Sequence, residues 1–138
     1  MRQGEDVFVD TGAWIALALT RDPYHQAAAS QWQLLAESRA KLSTSIPVVI
    51  EAFTFLQRNA NLMVANLWRD RYASDIPVRL LECQARDLSE SWSLFQQKKF
   101  HKLSAVDATS FTLMRRYKIR RAFSFDHHFA IAGFKPVG

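Results

Sequence analysis

The chain has 138 residues, 49% of them hydrophobic and 22% charged, a balance that suits one folded domain over 1–138 and excludes a disordered chain. A single cysteine, Cys83, excludes an intrachain disulfide and a cysteine-built zinc site, and the longest useful apolar run, Ala13 to Leu19, is too short to span a membrane. The formal net charge of +5 favours a polyanionic partner, nucleic acid first.

Val7 to Val9 reads as a short buried strand, closed by Asp10-Thr11-Gly12, with a helix beginning near Ala13. After the Arg21-Asp22-Pro23 break a second helix runs to about Glu37, with Tyr24, Ala28, Trp32 and Leu35 on one face. Lys41 to Thr44 reads as a second strand. Ser45-Ile46-Pro47 opens a third helix, because proline at the first helical position lacks an N–H that would be unpaired anyway. Its apolar stripe is Val49, Phe53 and Leu56. The next helix covers about Leu62 to Ala73, with Val64, Trp68 and Tyr72 in register. Val78 to Leu81 is a third strand, and a helix follows with Ala85, Leu88, Trp92 and Phe95 on one face. Ser104 opens a further helix to about Tyr117, Ala122 to Phe125 is a fourth strand, and Phe134 to Val137 fits a fifth. Strands alternating with helices predict an α/β fold: a parallel sheet of four to five strands, covered by helices on both faces. Ligands bind outside the carboxyl ends of such strands, so Asp10 and Asp126, each after a strand, project from one sheet edge.

Four acids stand at the edges of apolar segments. They are Asp10 after VFV, Glu51 within IPVVIEAFTFL, Asp107 within LSAVDATSF and Asp126 at the end of RRAFSFD. Each has a structural reading. Asp10 fits a helix cap, Glu51 a single acid on a polar helix face, Asp107 a capping box with Ser104, and Asp126 a turn. Glu51 fits its reading least, because Thr54 and Phe55 are its neighbours one turn on and the face is poor in charge. Two other uses of the first segment do not fit. Aspartic proteases need all-β surroundings for Asp-Thr-Gly, and phosphatases of the haloacid dehalogenase type need a second Asp where Gly12 stands. Carboxylates repel, so four gathered in one place require a cation. Three or four oxygen ligands suit Mg²⁺ or Mn²⁺, and such a site activates water and clamps a phosphodiester for in-line displacement. Adjacent histidines rarely share one metal, so His127 and His128 read as surface or substrate-contacting residues.

Basic residues flank the last two acids. Lys98, Lys99, His101 and Lys102 precede Asp107, and Arg115, Arg116, Lys118, Arg120 and Arg121 lie between Asp107 and Asp126. They suit an RNA backbone crossing an acidic pocket, and they equally suit a solvated helix end.

Taken in order, these segments resemble the PIN-domain ribonucleases, and within them the VapC-type toxins of toxin–antitoxin pairs. VFVDTGAWIALA is similar to the family's first acidic motif, PVVIEAFTFL to the second, LSAVDATSFTLMRRYKI to the third and AFSFDHHFAIAGF to the fourth. The acids are spaced by 41, 56 and 19 residues (51 − 10, 107 − 51, 126 − 107). The resemblance covers nearly the whole chain. It implies a three-layer α/β/α PIN-like fold and one pocket in which Asp10, Glu51, Asp107 and Asp126 bind one or two Mg²⁺ or Mn²⁺ ions. Within that pocket it implies Asp10 and Asp107 as the main ligands, Glu51 as a ligand or holder of water, and Asp126 as the residue that completes the site. Thr11 and Ser124 stand where the family places hydroxyls that orient ligands or phosphate. Hydrolysis of RNA by water activated at the metal, leaving 5′-phosphate and 3′-hydroxyl ends, is the implied activity. A homodimer and a cognate antitoxin are the implied partners. The start, MRQGEDVFVD, has no signal-peptide pattern, so a cytoplasmic location is the expectation. Two other readings stay open: a non-catalytic or housekeeping RNA-binding or processing module of the same fold, and a DNA-directed nuclease, which usually carries larger insertions.

Overall fold

Val7, Phe8 and Val9 are fully buried, and β1 (Asp6–Val9) takes the centre of the sheet. The computed structural model describes residues 1–138. β1 lies between β2 (Lys41–Ser45) and β4 (Arg121–Phe123), with Phe8 opposite Ser43 on one side and Ala122 on the other. β3 (Val78–Leu81) extends the sheet beyond β2 and β5 (Lys135–Pro136) beyond β4. All pairings are parallel and the order is β3-β2-β1-β4-β5. The expected α/β sheet is thus present with five strands. A run of three apolar residues at its centre follows from burial on both faces.

α1 (Thr11–Ala18) and α2 (His25–Glu37) connect β1 to β2, and α3 (Ile46–Asn59) and α4 (Leu62–Arg71) connect β2 to β3. α5 (Ala85–Ser91), two 3-10 turns (Trp92–Gln96 and Lys98–Phe100) and α6 (Ala105–Arg116) return the chain to β4, and α7 (His127–Ile131) leads to β5. Right-handed crossovers put α1 to α4 over one face and α5 to α7 over the other. In the packing α1 lies against α2 and α3, α3 against α4, and α5 against α6, while α3 also meets α6. The chain moves outward from β1 to β2 on one side and from β4 to β5 on the other. The sheet therefore has its switch point between β1 and β4, where a crevice opens at the carboxyl ends. No helix is long and apolar enough to cross a membrane.

Aromatic packing fixes the α1 side of the crevice. Trp14 is buried and lies 5.8 Å from Trp32, 5.9 Å from Trp68 and 5.3 Å from Tyr72, ring centre to ring centre. Its indole N–H donates to Thr44 Oγ1 at 3.1 Å, and Thr44 donates in turn to the Val9 carbonyl at 2.8 Å. This chain of donors satisfies polar groups that would be costly if buried alone. It also ties α1 to the ends of β1 and β2.

Three sequence expectations are corrected. The buried stripe of α3 is Val48, Ala52 and Leu56, one residue earlier than the spacing of Val49 and Phe53 predicts. β4 ends at Phe123, so Ser124 and Phe125 form a short connection before Asp126. In α5 and the turn after it the buried residues are Asp87, Ser91 and Leu94, while Leu88, Trp92 and Phe95 face outward. The physical reason is polar. Arg116 donates to both Asp87 carboxylate oxygens, at 2.8 and 2.6 Å, and Ser91 Oγ lies 2.9 Å from Thr112 Oγ1. These contacts turn the polar side of α5 inward against α6.

Candidate active site

The crevice is a cleft of about 660 Å³, and all four predicted acids line it. Asp10 enters at the end of β1, where its extended backbone (φ −86°, ψ 164°) turns the chain into α1. Glu51 comes from α3, which Ser45 caps by accepting the Val48 N–H at 3.2 Å. Asp107 lies in the first turn of α6, capped by Ser104, whose hydroxyl accepts the Asp107 N–H at 3.0 Å. Asp126 caps α7 and accepts the His128 N–H at 2.8 Å. Of the two caps expected from sequence, Ser104 caps α6 at Asp107, while Asp10 stands at the cap position of α1 without a side-chain cap bond; Asp126, expected in a turn, is itself the cap of α7.

The carboxylates differ in surroundings. Asp10 is buried; its Oδ2 accepts the Ser124 hydroxyl at 3.0 Å, while its Oδ1 has no partner at all. Burial pushes its carboxyl up to about 7, against the opposing influence of the nearby Thr11 N–H and the Ser124 hydroxyl, and the charges of Glu51 and Asp126 push it further. Burial likewise drives Asp107 up to about 9, helped by the charge of Asp10 and by a hydrogen bond shared with Asp126. Burial also acts on Asp126, but bonds from the His128 N–H, Asp107 and the His128 ring prevail and hold it below the usual carboxylate range. Asp107 thus keeps the proton and Asp126 the charge, the arrangement expected when like groups cannot both ionise.

His128 is buried and supports Asp126. Its Nε2 lies 2.7 Å from the His101 carbonyl and its Nδ1 2.7 Å from Asp126 Oδ1. A carbonyl oxygen only accepts, so Nε2 carries a proton. Asp126, His127 and His128 offer three ligand atoms within 4.8 Å of one another. Both nitrogens of His128 are already used, so this trio is a brace for Asp126 and not a cation site. The sequence reading of the pair as surface residues is corrected at His128, while His127 is exposed and lines the cleft.

Thr11 is buried with its hydroxyl unpartnered, and Ser124 joins Asp10 to the Asp126 N–H, which it accepts at 3.1 Å. Of the two basic clusters only Lys102 lines the cleft. Arg116 is held by Asp87 and Arg121 by Glu5, and Lys118 and Arg120 line a polar hollow with Arg2 and Glu5 at the opposite sheet end. α6 carries them away: a helix of this length spans about 18 Å. Asp22, Tyr24 and Phe125 also line the cleft, and sequence reasoning missed them. Tyr24 was read into the apolar stripe of α2. Its position just after Pro23 and ahead of the first helical residue, His25, is the signal that it lies outside that stripe.

The residues fit a divalent cation. A buried carboxylate oxygen with no donor, among three further acids, lacks the positive partner that burial of charge demands. The model of the PIN domain matches residues 7–135. The chain belongs to the PIN-domain family. This PIN domain is 33% identical over 131 residues to the 23S rRNA-specific endonuclease VapC20 of Mycobacterium tuberculosis, an alignment that covers 95% of this chain and 97% of that protein. It is also similar to the crystal structure of M. tuberculosis VapC20, a sarcin-ricin loop cleaving toxin, with a TM-score of 0.81 and 32% identity over 93% of this chain and 95% of that one. VapBC2 from Rickettsia felis, bound to a DNA fragment from their promoter, shares the fold, with a TM-score of 0.71 at 10% identity over 95% of this chain and 96% of that one. The chain is a homologue of the VapC-type PIN endonucleases.

Proposed function

We propose that this PIN domain is a Mg²⁺- or Mn²⁺-dependent endoribonuclease and the toxin of a type II toxin–antitoxin pair. One observation carries the metal reading: Asp10, whose Oδ1 is buried without a hydrogen-bond partner, lines a cleft together with three more acids. Asp10 and Asp107 are the main ligands in this reading, Glu51 a ligand or holder of water, and Asp126 the fourth acid, braced by His128 and Ser124. A divalent cation bound there supplies Lewis acidity, raising the acidity of water and offsetting phosphate charge. The chain's own groups do the rest. Ser124 holds one oxygen of Asp10 and leaves the other without a protein partner. The carboxylates repel a phosphate until a cation neutralises them, which makes substrate binding depend on the metal. Lys102 gives the mouth of the cleft a positive charge for the RNA backbone.

The substrate proposed is structured ribosomal RNA, with the sarcin-ricin loop as its first candidate, on the strength of 33% identity to VapC20 along almost the whole chain. An antitoxin is the proposed protein partner. It is supported by an apolar groove of about 510 Å³ lined by Trp14, Leu17, Trp32, Val64, Leu67 and Trp68. Homodimerisation is supported by the outward Leu88, Trp92 and Phe95. Action on ribosomes implies the cytoplasm.

The test is purified protein incubated with ribosomes in Mg²⁺ or Mn²⁺, followed by primer extension on the 23S rRNA. A discrete cut leaving 5′-phosphate and 3′-hydroxyl ends, lost in EDTA, is expected. Uncut RNA in every divalent metal overturns the reading.

A further inference from the structure

Tyr24 is the aromatic residue of the cleft that packing explains least. It is 51% exposed, yet it lines the same cleft as the four acids. Its ring lies parallel to that of Phe125, 4.6 Å away and tilted by 9°. Phe125 in turn meets Phe123 edge-on at 6.0 Å and 70°, and Phe123 is fully buried. The three rings form a column from the core to the cleft mouth. Phe125 lies in sequence between Ser124, which holds Asp10, and Asp126, itself one of the four acids, so the column keeps register with the carboxylates.

The backbone of Tyr24 is held as firmly as its ring. Its N–H donates to Asp22 Oδ1 at 2.9 Å and its carbonyl accepts the Ala28 N–H at 2.8 Å. Beside it, His25 Nδ1 lies 2.7 Å from the Ala16 carbonyl, which ties the turn to α1. A rigid ring with one face covered by Phe125 and much of its surface open is prepared for a second planar group. At the same mouth Lys102 is presented from a left-handed backbone (φ 59°), a conformation that costs energy for a residue other than glycine. A flat aromatic face beside a cation is the combination that binds unpaired nucleotides: base on ring, phosphate on amine.

We propose that Tyr24, stacked on Phe125 at the mouth of the carboxylate cleft, is the platform on which an unpaired nucleobase of the RNA stacks, fixing which phosphate reaches the acids. The proposal rests on the endoribonuclease reading above. Tyr24 is a positioning residue in it, with no part in the chemistry.

The competing role for Tyr24 is a cover for Phe125, which leucine would fill equally well, and the test separates the two. A sarcin-ricin loop RNA hairpin is synthesised with 2-aminopurine at each unpaired position in turn. Its fluorescence is read with wild type in Ca²⁺, and its cleavage is timed in Mg²⁺ for wild type, Tyr24→Leu, Tyr24→Phe and Tyr24→Trp. Stacking predicts quenching at one position in wild type and its loss in Tyr24→Leu. It predicts a KM raised about ten-fold in Tyr24→Leu with kcat little changed, and recovery in Tyr24→Phe and Tyr24→Trp. Cleavage by wild type with no quenching at any position, or with Tyr24→Leu equal to wild type, overturns the platform and leaves the endoribonuclease reading standing. A hairpin that wild type neither binds nor cuts overturns the platform on this loop, while the ribosome assay above decides the endoribonuclease reading separately. Should Tyr24→Leu fail to fold, the wild-type quenching and the Tyr24→Trp kinetics decide alone.

Discussion

The Ser124 hydroxyl donates to Asp10 across 114 residues of sequence, at 3.0 Å, and the same oxygen accepts the Asp126 N–H at 3.1 Å. One side chain thus joins the first and fourth acids of the cleft. It uses its single proton on a carboxylate oxygen and a lone pair on the backbone, which fixes the direction of both bonds. Ser124→Ala is expected to free the Asp10 carboxyl to rotate and to weaken the metal site roughly 10–100-fold. A titration of cleavage rate against Mg²⁺ checks this. The curve should shift to higher metal with much of the saturated rate retained, and an unchanged midpoint would mean that the hydroxyl does not orient Asp10.

The elevated carboxyls at Asp10 and Asp107 make the stability of the metal-free protein depend on pH. An unfolded chain releases these protons near pH 4, about the value of a free carboxyl. The folded chain holds them until about 7 at Asp10 and about 9 at Asp107. Their contribution is complete below about pH 4 and is lost as pH rises through the folded values. Asp126, held low, contributes in the opposite sense, and loses its contribution only in acid. The Tm of the metal-free protein should therefore fall between about pH 5 and about pH 9, by on the order of 10 °C. Saturating Mn²⁺ should flatten that slope, because the cation replaces the protons, and the gain in Tm on adding Mn²⁺ should grow with pH. Thermal melts across pH with and without Mn²⁺ measure both trends. A metal-free Tm that rises over this range contradicts the carboxyl assignments.

His128→Ala removes a brace and leaves every acid in place. Asp126 loses the ring contact at 2.7 Å, and the His101 carbonyl loses its partner. Cleavage should drop roughly 10–100-fold. His127→Ala, at an exposed neighbour 3.8 Å from Asp126, should cost little by comparison. The pair of rates under identical metal separates support of the site from contact with substrate.

How far residues alone reveal this protein depends on what their pattern reports. Asp10, Glu51, Asp107 and Asp126 were legible because each stands where an apolar run meets a strand end or an early helical turn, and parallel topology brings those places to one crevice. The α5 face was not legible. Leu88, Trp92 and Phe95 keep helical spacing, but periodicity states only that a helix has two faces. Which face is covered was decided by the Arg116–Asp87 pair and the Ser91–Thr112 contact, both set by tertiary structure. The change to a 3-10 turn at Trp92 broke the spacing as well. The basic residues after Asp107 left two readings open for a related reason: closeness in sequence to an acid means little where a helix carries the chain to the far sheet end, and none of them lines the cleft. Tyr24 was hidden because an aromatic at helical spacing reads as core, and only the turn at Asp22 and Pro23 puts it at the cleft mouth.

The most direct measurement of the central claim is cleavage of 23S rRNA by Asp10→Asn beside wild type, in Mg²⁺ or Mn²⁺. The exchange keeps the size and shape of the side chain and removes the negative charge of a buried carboxylate, one of whose oxygens has no partner. A variant that melts at or above the wild-type temperature without metal, yet produces no cut, is the predicted result. Cleavage at the wild-type rate by a folded Asp10→Asn would contradict a metal site built on Asp10.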